Sequence, residues 1–123
     1  MKKPAKLLFL MIFIISCTTE DEIDVSDVFN GVLVKKGICM NYVIQVNDSN
    51  FPEELLEINW VDEFSEISFT NVFTLESVCD FPTNIEEGQT FRFFIDINKD
   101  NNCPVCLAFT PTPSKRVSID VID

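Results

Sequence analysis

Histidine is absent from the 123 residues. No Ser-His-Asp or Cys-His relay can therefore be assembled, which removes the common hydrolase and thiol-protease arrangements. Glycine occurs only at 31, 37 and 88, so no glycine-rich loop exists to cradle a phosphate. Basic residues number nine against twenty acidic ones. The two basic pairs, Lys35-Lys36 and Lys115-Arg116, are too few for a nucleic-acid footprint. No internal repeat, low-complexity tract or long amphipathic helix pattern is present. What remains is a small chain rich in β-branched and aromatic residues, with twelve phenylalanines, one tryptophan, one tyrosine and five cysteines.

The first residues have the organisation of an export signal. Lys2, Lys3 and Lys6 form a positive region, and Leu7 to Ile15 is an unbroken apolar run. At about 1.5 Å per helical residue that run spans about 14 Å, roughly half a hydrocarbon core. It is too short to cross a bilayer and suits the apolar part of a signal peptide. Ile14-Ile15-Ser16-Cys17 follows directly. This resembles the lipobox of type II signal peptides, which identifies the chain as similar to bacterial lipoproteins. The resemblance implies cleavage before Cys17, a diacylglycerol thioether on its sulfur and an acylated amino group. Several acyl chains anchor a protein durably, since each buried CH₂ adds about 0.8 kcal/mol. Thr18 rather than aspartate follows the cysteine, which favours the outer over the inner membrane. The cluster Glu20-Asp21-Glu22 is similar to acidic export signals of surface lipoproteins, and reads equally as a solvated tether. The periplasmic face and the cell surface both stay open.

Residues 1–16 thus read as signal peptide, 17–29 as lipidated cysteine and acidic tether, and 30–123 as a single β domain. Cleavage removes three lysines and no acid. Six basic and twenty acidic residues remain, a formal charge of −14. Such a field repels phosphate backbones and anionic headgroups, and favours basic proteins, cations or plain solubility.

Within the domain, period-two alternation argues for strands. Gly31 to Lys36 and Tyr42 to Val46 read as strand, broken near Gly37, and Asn47 to Asn50 as a turn. Pro52 to Trp60 fits a strand or a short helix. Glu66 to Leu75 reads as strand, bent near Asn71, and Cys79 to Glu87 as a loop. Gln89 to Asn98 is the clearest strand, with Phe91, Phe93, Ile95 and Ile97 on one face. Val105 to Thr110 and Val117 to Val121 complete about six strands. The expected fold class is all-β, a small antiparallel barrel or sandwich. The interrupted first strand and the late alternating strand after Glu87-Gly88-Gln89-Thr90 resemble an OB-type barrel, which would not by itself give function.

Four cysteines accompany Cys17: Cys39, Cys79, Cys103 and Cys106. An even number in a small exported domain reads as two disulfides, with three possible pairings. A Cys103–Cys106 bridge would constrain little chain. Long-range bridges from Cys39 and Cys79 to the 103–106 segment would each contribute about 3–5 kcal/mol, so they are favoured, without the sequence fixing which. Cys103-Pro104-Val105-Cys106 also has the spacing of a thiol oxidoreductase motif. That chemistry needs the first sulfur at a helix N-terminus, and here a strand-like run and Thr110-Pro111-Thr112-Pro113 follow instead. A four-thiolate zinc site is disfavoured too, because Cys39 and Cys79 lie forty residues apart rather than in a second knuckle.

Asp96-Ile97-Asn98-Lys99-Asp100 matches the first three ligand positions of a calcium loop, with Asp96, Asn98 and Asp100 as candidate ligands. The match stops there, since Asn101 stands where glycine is needed and Leu107 where glutamate is. A polar turn is the simpler reading. The acidic pairs Glu53-Glu54, Asp62-Glu63 and Glu86-Glu87 read as solvated surface rather than paired catalytic carboxylates. Tyr42, Trp60, Phe64, Phe69, Phe73 and Phe94 are candidates for an aromatic ligand face, among residues that more often form core.

The sequence therefore points to a lipid-anchored, non-enzymatic binding or accessory module at the cell envelope. No cofactor and no nucleic acid are expected, and the partners would be the membrane, through its anchor, and another protein. Small-ligand or cation binding and thiol redox chemistry are alternatives. So is inhibition of a cationic enzyme, because small acidic lipoproteins that block lysozyme are similar in size, anchor and charge.

Overall fold

The structure is a computed structural model that describes residues 27–122. The lipobox, Cys17 and the tether up to residue 26 lie outside the described residues. The described chain is all-β: strands β1 (Phe29–Lys36), β2 (Tyr42–Val46), β3 (Glu57–Val61), β4 (Ser68–Leu75), β5 (Thr90–Ile95), β6 (Arg116–Val117) and β7 (Ile119–Ile122). Short 3₁₀ turns at Ile38–Met40 and Glu53–Leu55 are the helical elements among the described residues.

The strands form one sheet in the order β3-β4-β2-β1-β5-β7, antiparallel along this path. β6 lies off the path and pairs with β4 in parallel. Only Ser118 separates β6 from β7, so one C-terminal segment bonds to β4 at its start and to β5 at its end. The sheet curls in a barrel-like way and is not closed into a barrel. This is compatible with the partly open architecture of the OB type.

The alternation in β5 is realised as burial. Phe91, Phe93 and Ile95 lie in the core while Arg92 is exposed. Phe29, Phe51, Phe73 and Phe93 pack ring against ring, with centroids 4.9–6.1 Å apart. Gly31 of β1 lies beneath this cluster. A Cβ there would sit 2.9 Å from Phe93 Cε1 and 3.0 Å from Ile44 Cγ2. A second cluster, Val43, Trp60 and Val72, occupies the opposite face of the sheet with Val34 and Phe69 against it. The centre of the sheet is thus buried on both faces, and consecutive residues such as Val43-Ile44 and Val72-Phe73 are all enclosed.

The break near Gly37 is a tight crossover. Gly37 N–H donates to the Asn41 carbonyl, and a Cβ on Gly37 would come within 2.6 Å of that same oxygen. Cys39 and Met40 then take positive φ angles of 55° and 59° to turn the chain back into β2. Pro52 to Trp60 contains both readings its sequence allows, a 3₁₀ turn and then β3. Glu66 to Leu75 is one strand from Ser68, with Asn71 at φ 54°.

Two expectations are corrected. β5 ends at Ile95, and Ile97 is 71% exposed rather than inward-facing, because the chain turns at Asp96. Val105 to Thr110 is not a strand, since no neighbouring strand lies beside it among the described residues.

Candidate functional site

The segment between β5 and β6 carries the unusual chemistry of the domain. From Asn101 to Ser114 it holds no charged residue. Two disulfides bind its first half: Cys79–Cys103 and Cys39–Cys106, with Cα separations of 5.5 and 5.2 Å. Both bridges are long-range, joining residues 24 and 67 positions apart. They place the domain in a non-reducing compartment. Because Cys103 and Cys106 bond to different distant partners, their C-x₂-C spacing does not form a vicinal redox pair. The backbone N–H of Cys103 also donates to Cys79 Sγ at 3.0 Å.

The second half of the segment is pinned from below. Pro111 and Pro113 are buried. The Pro113 carbonyl accepts from buried Thr74 Oγ1 at 2.7 Å. Ser114 N–H donates to Glu57 Oε2 at 2.8 Å. Lys35 Nζ reaches the Pro111 carbonyl at 2.9 Å and forms an ion pair with Asp62 Oδ2 at 3.0 Å. The same ammonium lies 5.6 Å from the centroid of the Trp60 ring, within cation–π range. Asp62 is itself buried, at 4% exposure, and accepts from Phe64 N–H at 3.0 Å. Burial alone would raise its carboxyl pKa. The hydrogen bond from Lys35, the Phe64 amide and the Lys35 charge outweigh that, and the pKa lies below the ordinary aspartate value.

Between these two anchors, residues 104–109 are all exposed. The chain from 104 to 113 contains no turn or bend, so it runs extended. Leu107 is 97% exposed, Phe109 79% and Val105 50%. Phe64, 69% exposed on the turn between β3 and β4, meets Phe109 edge-on at 6.4 Å. Ile38, 64% exposed, precedes Cys39 of the bridge to Cys106. On the inner side, Asn41 Nδ2 approaches the Ala108 carbonyl at 3.4 Å. An apolar ridge thus stands on a disulfide-pinned base, beside the acidic turn residues Glu63 and Glu66.

Phe64 apart, the residues singled out from sequence fall elsewhere. Tyr42 packs edge-on against Phe81 at the margin of the main core. Trp60 is buried and stacks on Phe69 in the second cluster. Phe94 is half-buried on β5. The three share no face. Asp96 Oδ1 accepts from the Asn98 amide at 3.2 Å, and Lys99 N–H donates to the Asp96 carbonyl at 3.3 Å, so the 96–100 segment is a self-bonded polar turn. Lys99 Nζ there pairs with Asp120 and Asp80. Among the described residues no group of three or more His, Cys, Asp or Glu is arranged to hold a metal ion. The four cysteines are used as bridges, which accounts for all of Cys39, Cys79, Cys103 and Cys106.

Leu107, Phe109 and Ile38 were not singled out from sequence, although signals existed, whereas Phe64 was one of the aromatic candidates. Pro104 and Pro111 bracket the Val105–Thr110 run, and prolines at both ends of a strand-like run mark an unpaired or edge position. Phe64 lies in the acidic turn Asp62-Glu63-Phe64-Ser65-Glu66, a poor context for a core residue. Comparison with family models, with curated proteins and with solved structures finds no match.

Proposed function

We propose that this chain is a lipid-anchored lipoprotein of the bacterial envelope, held at the outer membrane through Cys17, whose β domain acts without catalysis by contacting another protein. The lipobox Ile14-Ile15-Ser16-Cys17 and the two bridges support the address. The observation that carries the contact reading is the ridge of Leu107, Phe109 and Phe64. It leaves large apolar side chains in water on a scaffold whose core is otherwise complete. Apolar surface of this kind on a small domain marks an interaction site. The disulfides and the Lys35–Asp62 pair hold it in place before any partner arrives, which reduces the ordering cost of binding.

Two measurements test the reading. Cys17→Ala should abolish metabolic palmitate labelling and release the protein from the membrane fraction. Labelling that persists would remove the anchor. A photo-crosslinking residue at position 107 in living cells should give a discrete protein adduct, and the same residue at exposed Glu54 should not. Absence of any protein adduct from either position would remove the contact reading.

A further inference from the structure

The ridge of Leu107, Phe109 and Phe64 has a backbone, a size and a charge environment as well as exposure, and together they specify an occupant. We infer that it is a strand-addition site: an extended, cationic segment of a partner protein lies alongside residues 105–110 and seats apolar side chains against Leu107, Phe109 and Phe64. This rests on the ridge being a protein-contact surface.

Three observations select this occupant. The first is backbone chemistry. The chain from 104 to 113 is extended, and among the described residues the N–H groups of 105–110 donate to no backbone carbonyl. An extended segment with free N–H donors is a template for a further strand, the Ala108 carbonyl being turned inward to Asn41. Pro104 and Pro111 close the window at both ends, so the site admits a short segment and not an indefinitely growing sheet. The second is size. Ile38, Phe64, Leu107 and Phe109 together offer on the order of 500 Å² of apolar surface. A stable pairing of two copies needs about 800 Å² a side, so the ridge fits a peptide-sized footprint better than a second domain.

The third is charge. The ridge itself is neutral from 101 to 114, but the domain around it is strongly acidic, with Glu63 and Glu66 on the adjoining turn. Lys35, Lys36 and Lys99 are each engaged by carboxylates. A second copy of this chain, or an anionic lipid surface, meets like charge. A segment alternating lysine or arginine with apolar residues meets a neutral apolar strip within an acidic field.

The test uses the full lipoprotein in phosphatidylcholine nanodiscs and a short synthetic peptide in which lysines alternate with valine and phenylalanine. Binding should slow amide hydrogen exchange at residues 105–110 at least tenfold. The double variant Leu107→Ser, Phe109→Ser should raise the peptide Kd at least tenfold at unchanged melting temperature. Backbone N-methylation of the peptide should weaken it comparably, because strand addition depends on its N–H groups. A counterpart with glutamate for lysine should not bind. Peptide binding that leaves 105–110 exchange unchanged, or that ignores the double variant, overturns the inference: the peptide then sits on acidic surface elsewhere. Equal binding of the N-methylated peptide overturns the strand geometry. Crosslinking from position 107 to nanodisc lipid in the presence of peptide makes the ridge a membrane-resting surface and also overturns it. Each of these results leaves the protein-contact reading to stand or fall on the crosslinking in cells.

Discussion

Two stretches of this chain have nearly the same pattern and opposite fates. Phe91-Arg92-Phe93-Phe94-Ile95 and Val105-Cys106-Leu107-Ala108-Phe109 both alternate large apolar residues with a period of two. In the first, Phe93 is fully enclosed. In the second, Leu107 and Phe109 stand in water. The difference is the company each keeps. β5 lies between β1 and β7, which satisfy its backbone, and Phe29, Phe51 and Phe73 cover its inner face. The later stretch is bracketed by prolines and tied by disulfides to the 3₁₀ turn after β1 and to the loop after β4, with no strand beside it among the described residues. Period-two alternation therefore reports an extended backbone; pairing and burial are separate facts that neighbours decide.

Several measurements would break or sharpen that contrast. The largest effect should come from truncating the enclosed phenylalanine: Phe93→Ala is expected to cost about 4 kcal/mol in chemical denaturation, the range for large core truncations. Phe109→Ala should change stability by less than about 0.5 kcal/mol, as for exposed sites. If the two variants lose comparable stability, the ridge is core in solution and the contrast fails. Opening the bridge that pins the ridge, with Cys39→Ala and Cys106→Ala together, should cost about 4 kcal/mol by loop entropy. The Cys79, Cys103 pair should cost about 3.5 kcal/mol. Peptide mapping without reduction should recover Cys39 linked to Cys106 and Cys79 linked to Cys103, and a Cys103–Cys106 link would refute the pinned geometry.

Next comes the buried pair beneath the ridge. Asp62→Ala strands the Lys35 ammonium and should cost about 3 kcal/mol, the low end for unpairing a buried charge. The pH dependence has a definite sign. The Asp62 pKa is lower in the folded protein than in the unfolded chain, so its contribution is fully present above the unfolded value, about 3.9. It is lost as pH falls through the lower folded value. The gap between the urea midpoints of wild type and Asp62→Asn should therefore narrow as pH falls from neutral to about pH 3. Midpoints that stay equally separated across that range would show that this carboxylate does not titrate with folding. Among the variants expected to lose stability, the smallest effect belongs to Gly31→Ala. The added methyl meets Phe93, Ile44 and Phe91 and should cost about 1–3 kcal/mol through overpacking. A neutral or stabilising result would mean that the phenylalanine cluster has room to move.

Much of the sheet was legible because its segments carry local signals. Tyr42-Val-Ile-Gln-Val46 and the Phe91–Ile95 alternation announce strands, and Asn47-Asp48-Ser49-Asn50 announces a turn. The ambiguity of Pro52 to Trp60 was real, since that stretch holds a 3₁₀ turn and a strand in succession. The ridge was not legible. Its residues look like strand, and exposure depends on what lies within a few ångströms in space. Trp60 and Tyr42 were natural choices for an aromatic face, yet ring contacts with Phe69 and Phe81 absorb them into packing.

By itself the sequence determined an all-β, disulfide-capable domain without imidazole chemistry, strongly acidic, and preceded by an Ile14-Ile15-Ser16-Cys17 motif that resembles a lipobox. Those properties follow from composition, spacing and period, which are local. Only the tertiary structure decided which cysteines meet, that the C-terminal segment runs parallel to β4 before joining β5, and that Lys35 is held between Asp62, Pro111 and Trp60. It alone decided that Leu107, Phe109 and Phe64 are left uncovered. Each of these depends on residues tens of positions apart being brought together. That proximity is set by the curling of the whole sheet around its phenylalanine core, and no single stretch of the chain encodes it.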